Sequence, residues 1–298
     1  MVDLTRRESP AFSGLTSSVK APQSAFTLIE LLVVVAIIAI LAAILLPVLH
    51  RAQARSQMIY DLNNFKQLQL CWLMYVHDNN DYLPPNYVSG GNALTGSWVL
   101  GDAQTDYTTT NIQNGMLFQY NRQVKIYVCP ANTYMINAPA SLPLHPTAYK
   151  VPQVRTCSIE ISLGGNEADN PNGPWTESYG GNPAFKTYQK ISQIQATRIA
   201  QKIVFTDEAE ATLDDGCFAL YPLGDANNWW NMAGNRHNNG TVWSFADGHC
   251  EYWKWHGSVV NTLVYQTVYY QTSGQGNNVP GDSSDDLPRT EAGGAQYP

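Results

Sequence analysis

The chain has 298 residues, of which 44% are hydrophobic and 14% charged, and a formal net charge of −7. That is ample apolar material for a core and close to the upper limit for one compact domain. Residues 1–55 hold five Lys/Arg and three Asp/Glu, which leaves twelve basic against twenty-one acidic side chains beyond them; so acidic a body carries no electrostatic footprint for nucleic acid.

In chain order, the first marked feature is "AFTLIELLVVVAIIAILAAILLPVL", residues 25–49, apolar except for Thr27 and one carboxylate, Glu30. Leu31–Leu49 is nineteen residues without a charge, close to the ~20 that a helix needs to cross ~30 Å of hydrocarbon. A secretory signal core is shorter, about 7 to 15 residues, and a buried helix of a water-soluble domain would show polar positions at each turn. The run is therefore read as a membrane-spanning helix, in which an acid is costly unless it is paired.

The residues that open this run, Ala25-Phe26-Thr27-Leu28-Ile29-Glu30, resemble the processing signature of type IV pilins and type II secretion pseudopilins. The resemblance implies that residues 1–25 are a leader, with Ala25 standing where Gly is usual. A prepilin peptidase/methyltransferase would cut before Phe26 and methylate the new amine. It implies that Glu30 then pairs with the Phe26 amine of a neighbouring subunit and helps set the stagger of a filament. Pro47 falls where many pilins carry a helix-loosening proline. The partners so implied are the peptidase, other pilin or pseudopilin subunits, an inner-membrane assembly platform and lipid. The location implied is a single pass of the inner membrane, with a head in the periplasm or at the cell surface in a filament.

Beyond the span, Ile59, Leu62, Phe65, Leu68, Trp72 and Val76 recur every three or four residues, which predicts a continuing amphipathic helix. Asp78-Asn79-Asn80 and Pro84-Pro85 end it. The expected helix is thus up to ~50 residues long, with residues 26–50 in the membrane and 51–80 offering a stripe to a head. That stripe reads both as head core and as a packing spine in a filament.

Residues 81–272 form the expected head. Short β-favouring runs at 123–129, 199–207 and 241–255 alternate with Gly/Asn/Pro clusters, which predicts an antiparallel sheet laid on the helix and a fold class of α+β, pilin-like. Residues 273–298 are polar and rich in Gly and Pro, the composition of a flexible tail.

Within the head, "RHNNGTVWSFADGHCEYW" resembles an element of prepilin-type proteins, a His, nine residues and Asp-Gly, here His237 and Asp247-Gly248. Asp-Gly between alternating runs predicts a two-residue type I′ hairpin, with positive φ at both central positions. Counting outward pairs Phe245 with Cys250, Ser244 with Glu251 and Trp243 with Tyr252, so that Trp243, Phe245, Cys250 and Tyr252 share the face toward the helix. His237 and Asp247 then lie toward opposite ends of one strand, which argues for a structural or recognition element and against a catalytic pair.

No hydrolase, nucleotide or zinc-protease motif is present, so no enzyme activity, catalytic residue, cofactor or metal ligand is assigned. Calcium is the candidate cation, because major pseudopilins similar at the N-terminus hold it in a C-terminal loop; Asp282-Ser283-Ser284-Asp285-Asp286 or Asp214-Asp215 would supply oxygens, with a solvated acidic turn as the alternative. Of five cysteines, Cys129 and Cys157 are the candidate bridge, and Cys71 and Cys250 read as core. Trp229, Trp230, Trp253 and Trp255 form either core or an exposed aromatic patch. Two functions follow: a pilin or pseudopilin subunit, or a pilin-anchored display module binding polysaccharide or protein.

Overall fold

The computed structural model describes residues 27–89, 91–140, 147–167, 187–210, 212–220, 228–229, 231–256, 279–280 and 290. Residues 1–26, which include the expected leader with Ala25 and Phe26, the acids Asp282 to Asp286 and most of residues 273–298 lie outside them. By compactness the chain divides into residues 1–49 and residues 50–298.

One helix, α1 (Leu28–Asp78), runs for 51 residues with Pro47 inside it. Its residues up to Leu49 include not one buried side chain, and its apolar part is long enough to span a membrane. From Asp61 onward the pattern changes. Asp61, Asn64, Phe65, Leu68, Gln69, Cys71, Trp72, Tyr75 and Val76 are buried, which follows the predicted i, i+3, i+4 seam except at its start. Ile59 points outward, 56% exposed, and the seam instead begins at Asp61, four residues before Phe65.

The helix ends where Asn80 and Asp81 take positive φ and Asp81 N–H bonds to the Val76 carbonyl at 3.0 Å. Asn and Asp tolerate this left-handed conformation better than most residues. Two further short helices follow, α2 (Thr110–Gln113) and α3 (Phe118–Asn121).

Twelve short strands are described. β1 (Asn86–Ser89), β2 (Asn92–Ala93), β3 (Met135–Ala138), β4 (Tyr149–Pro152), β5 (Cys157–Glu160) and β6 (Gly165–Glu167) precede β7 (Ile203–Asp207), β8 (Cys217–Phe218), β9 (Asn228–Trp229), β10 (Gly240–Phe245), β11 (Cys250–Lys254) and β12 (Val279–Pro280). The principal sheet has the order β11-β10-β7-β5-β8. It is antiparallel except for the parallel β5–β8 edge. The smaller sheets are β2-β1-β6, β3-β4 and β9-β12.

The two faces of the central strands divide the core in two. Val204, Phe205, Val242, Ala246, Cys157 and Ile159 join Phe65, Leu68 and Trp72 of α1, while Ile203, Phe218, Trp243, Phe245, Trp253 and Trp255 form a second cluster. Because both faces are covered, every residue of β7 and of β10 is buried. Trp253 and Trp255 therefore belong to the core and not to an exposed aromatic patch.

Three sequence expectations are corrected. The run at 123–129 is a 3-10 turn, Val124–Tyr127, and not a strand; its apolar residues Ile126 and Tyr127 are buried in the first core cluster, and burial overrode β propensity. Cys129 and Cys157 form no bridge, and all five cysteines are free. The β10–β11 register also differs by one residue from the predicted one, for a reason given by its turn.

Candidate functional site

At the start of α1, Thr27 and Glu30 satisfy each other. The Thr27 backbone N–H and hydroxyl donate to Glu30 Oε2 at 2.9 and 2.8 Å, and the Glu30 N–H donates to Thr27 Oγ1 at 3.2 Å. This is a capping box, Thr at the cap and Glu three residues on, and it serves amide groups that a helix start leaves without intrahelical partners. Glu30 Oε1 takes part in neither bond. The sequence reading treated Glu30 through its charge alone; the Thr-x-x-Glu spacing was the signal for this second role.

The hairpin between β10 and β11 does not turn through two residues. Phe245 N–H bonds to the His249 carbonyl at 3.0 Å and Gly248 N–H to the Phe245 carbonyl at 2.9 Å, so Ala246-Asp247-Gly248 form a three-residue loop. Of these only Gly248 has positive φ, +100°. A type I turn followed by a glycine in this region is the usual three-residue solution. One more loop residue shifts the register by one, and Ser244 faces Cys250, Trp243 faces Glu251 and Val242 faces Tyr252. A shift of one exchanges the faces. Val242, Ala246 and Cys250 meet the α1 core, while Trp243 and Phe245 turn to the other side.

Asp247 is exposed at the tip and pairs with His249, whose ring stacks on Phe245 with centroids 4.3 Å apart. The two-residue turn with positive φ at both centres lies elsewhere, at Asn238 (53°) and Asn239 (63°), closed by His237 N–H to the Gly240 carbonyl at 3.4 Å. His237 sits at the mouth of this reversal, with its own carbonyl accepting the Tyr252 hydroxyl at 2.6 Å. His237 and Asp247 thus occupy opposite ends of β10, and the structure does not bring them together.

What His237 does meet is a buried polar group drawn from distant parts of the chain. Its Nε2 is 2.9 Å from Asp61 Oδ2 on α1 and 3.2 Å from Cys129 Sγ, which follows the 3-10 turn. Asp207, the last residue of β7, completes the set. One ligand-type atom from each of Asp61, Cys129, Asp207 and His237 lies within 4.8 Å of all the others, and all four residues are buried. Arg236 binds Asp207 Oδ2 at 2.7 Å and Glu210 at 3.0 Å. Burial pushes the Cys129 thiol well above its ordinary value, with the Asp207 and Asp61 carboxylates adding to the rise. Burial likewise raises the Asp207 carboxyl, against the opposing pull of Arg236.

A nucleophilic Cys-His-Asp arrangement would place the thiol on one ring nitrogen and the acid on the other. Here both approach Nε2, and Nδ1 has no hydrogen-bond partner among the described residues.

The other candidate cation ligands behave differently. Asp214 Oδ1 accepts the Asp215 N–H at 2.7 Å and Asp215 Oδ1 accepts the Cys217 N–H at 2.9 Å, so these acids brace the turn into β8.

Residues 20–46 match the family model of the prokaryotic N-terminal methylation motif. The match covers Ala25, Phe26 and Glu30, and it supports a prepilin-processed, pilin-like structural subunit. With the one helix among the described residues that is long and apolar enough to cross a membrane, it fits a membrane-anchored protein. No curated protein and no solved structure matches the chain, so the head is described from its own geometry.

Asp61 and Asp207 were missed by sequence reading, which placed Cys129 only in a candidate bridge. Asp61 is separated from His237 by 176 positions, and no local spacing joins them. One signal existed: Asp61 is on the same helical face as Phe65 and Leu68, and an acid on a packing seam requires a partner.

Proposed function

We propose that the chain is a pilin-like subunit of a type II secretion pseudopilus or a type IV pilus-like filament. In this reading prepilin peptidase cuts before Phe26, and α1 carries the subunit in the inner membrane until assembly. The observation that supports it is the methylation motif on the first turns of a helix whose apolar residues 28–49 are nowhere buried. Ile38, Leu41 and Ile44, for example, are each more than half exposed. Such a surface is far larger than the few hundred Å² that a water-soluble monomer leaves open. Lipid before assembly and neighbouring helices after it are the environments that suit it.

The capping box sharpens the expected role of Glu30. Cleavage before Phe26 leaves the Thr27 amide in place, so the box survives processing, while a new ammonium appears one residue away. Oε2 keeps the cap and Oε1 takes the ammonium of the adjoining subunit, which meets the need of a carboxylate in lipid for a cationic partner. Two variants separate the roles. Glu30→Gln keeps an acceptor for the cap and removes the charge; it is expected to abolish filament incorporation while the head melts as in the native protein. Thr27→Ala removes the cap and is expected to assemble. Mass spectrometry should find a mature chain beginning at N-methylated Phe26. Normal incorporation of Glu30→Gln, or a terminus elsewhere, would overturn this reading.

The display alternative draws no support from Trp253 and Trp255, which are core, and the side chains of Trp229 and Trp230 lie outside the described residues.

A further inference from the structure

We infer that Asp61, Cys129, Asp207 and His237 form a closed, structural binding site for a divalent transition metal of the zinc class. The donor set carries the argument first. One thiol, one imidazole and two carboxylates are the side chains that zinc takes in tetrahedral sites, whereas calcium takes oxygen alone. The geometry carries it second. Zinc bonds of about 2.0 to 2.3 Å set donor–donor separations of about 3.3 to 3.5 Å in a tetrahedron. Here two of the separations are 2.9 and 3.2 Å, and none exceeds 4.8 Å. A single nitrogen, Nε2, faces both the thiol and a carboxylate, although it can offer one proton or one lone pair and not both. Nε2 directed at a shared centre resolves that conflict, with the ring proton kept on Nδ1.

Unspent polar capacity points the same way. Asp61 is 1% exposed and its Oδ1 has no hydrogen-bond partner among the described residues. Arg236 offsets one of the two carboxylates. A dication would offset the other together with a thiolate, because metal binding deprotonates a coordinating thiol. All four protein ligands are present and buried, and so the site has the closed character of a structural centre and not the open position of a catalytic one.

The consequence is mechanical. The metal would tie α1 to the segment after Val124–Tyr127, to the end of β7 and to the His237 reversal, in a domain whose five cysteines make no disulfide. It also gives the histidine of the His-x9-Asp-Gly element a role that is independent of its aspartate.

The test uses the full-length chain, produced in medium supplemented with Zn²⁺ or with Co²⁺ so that a buried site can load during folding, and then extracted in detergent and dialysed free of loose metal. Elemental analysis is expected to give about one metal ion per chain. The cobalt form should show thiolate-to-metal charge-transfer absorption. Cys129→Ser should lose that absorption, and His237→Gln should lose the metal at least tenfold, while Cys71→Ser and Cys250→Ser keep both. Stripping the native chain with chelator under partial denaturation should lower its melting temperature by roughly 10 °C. A folded native chain with no bound metal and no response to Zn²⁺ would overturn the inference and leave His237 and Asp61 as a plain hydrogen-bonded pair. Metal retained unchanged in Cys129→Ser and His237→Gln would also overturn it. Should either variant fail to fold, the stoichiometry and the cobalt spectrum of the native chain decide the matter alone. The mature N-terminus is read separately, so failure here does not touch the filament assignment.

Discussion

The two parts of α1 obey opposite rules. Between Leu28 and Leu49 every large apolar side chain is exposed and Glu30 is the sole charge; from Asp61 to Val76 the helix buries Asp61, Asn64 and Gln69 beside Phe65, Leu68 and Trp72. Hydrophobicity is thus turned outward where the surroundings must be apolar, and polarity inward where specific partners wait. Asp61 meets His237, Asn64 Nδ2 reaches the Val128 carbonyl at 3.5 Å, and Gln69 Oε1 accepts the Ser244 hydroxyl at 2.7 Å. Each of these contacts is specific to one position, and together they fix how the helix meets the sheet more tightly than aliphatic packing would. The first part of the helix has no such marks, and its apolar residues are long enough in sequence to cross a membrane.

The largest effects should come from breaking the inward part. Phe65 is 1% exposed in the core that joins α1 to the sheet, and Phe65→Ala should lower head stability by about 3–5 kcal/mol in urea denaturation. Ile59, two turns earlier and 56% exposed, should cost less than about 0.5 kcal/mol as Ile59→Ala. Equal losses would show that the seam had been placed on the wrong residues. A comparable loss is expected at the sheet. Lys202 Nζ lies 2.7 Å from Glu160 Oε2, with exposures of 6% and 0%. Lys202→Met strands a buried carboxylate and should cost about 3–5 kcal/mol. Glu160→Gln in the same chain should recover much of it.

What could be read from the sequence divides along the same line. The apolar run, its length and the acid at its start were legible because local composition determines them. The helix was expected to reach ~50 residues and spans 51, because its periodicity carried past the span. The α+β class and the β7, β10 and β11 regions were legible for a similar reason. The run around Tyr127 was not, since its side chains are held by a core formed of residues far away. Nor was the hairpin register: Asp247-Gly248 fits a two-residue and a three-residue turn equally well by composition, and only the hydrogen bonds of the folded hairpin decide between them. The cluster at His237 was out of reach because its members are joined by the fold and not by spacing.

An intermediate effect tests that turn. Gly248 holds φ at +100°, and a Cβ there would come within 3.3 Å of Leu73 Cδ1. Gly248→Ala should therefore cost about 1–2 kcal/mol, whereas Asp247→Ala, at an exposed position with ordinary φ, should cost less than about 0.5 kcal/mol. A two-residue type I′ turn would make both positions sensitive, so the pair of melting temperatures distinguishes the two geometries.

The last test concerns pH. Asp215 is pushed up to about 6 by burial, with backbone hydrogen bonding from Cys217 opposing the rise, and burial raises its neighbour Asp214 as well. An acid whose folded value lies above its unfolded one binds more protons when folded. Its contribution is then fully present below about pH 4 and is lost as pH climbs through about 6. The head should therefore lose stability from this pair between pH 4 and 7. Asp214→Asn with Asp215→Asn keeps the oxygens that accept from Asp215 and Cys217 N–H and removes the ionisation, so that part of the slope should vanish. Calcium supplies the contrary outcome. If Asp214 and Asp215 held that ion, millimolar Ca²⁺ would stabilise the native chain at pH 7 and leave the double variant unmoved; if they only brace the turn, Ca²⁺ would move neither.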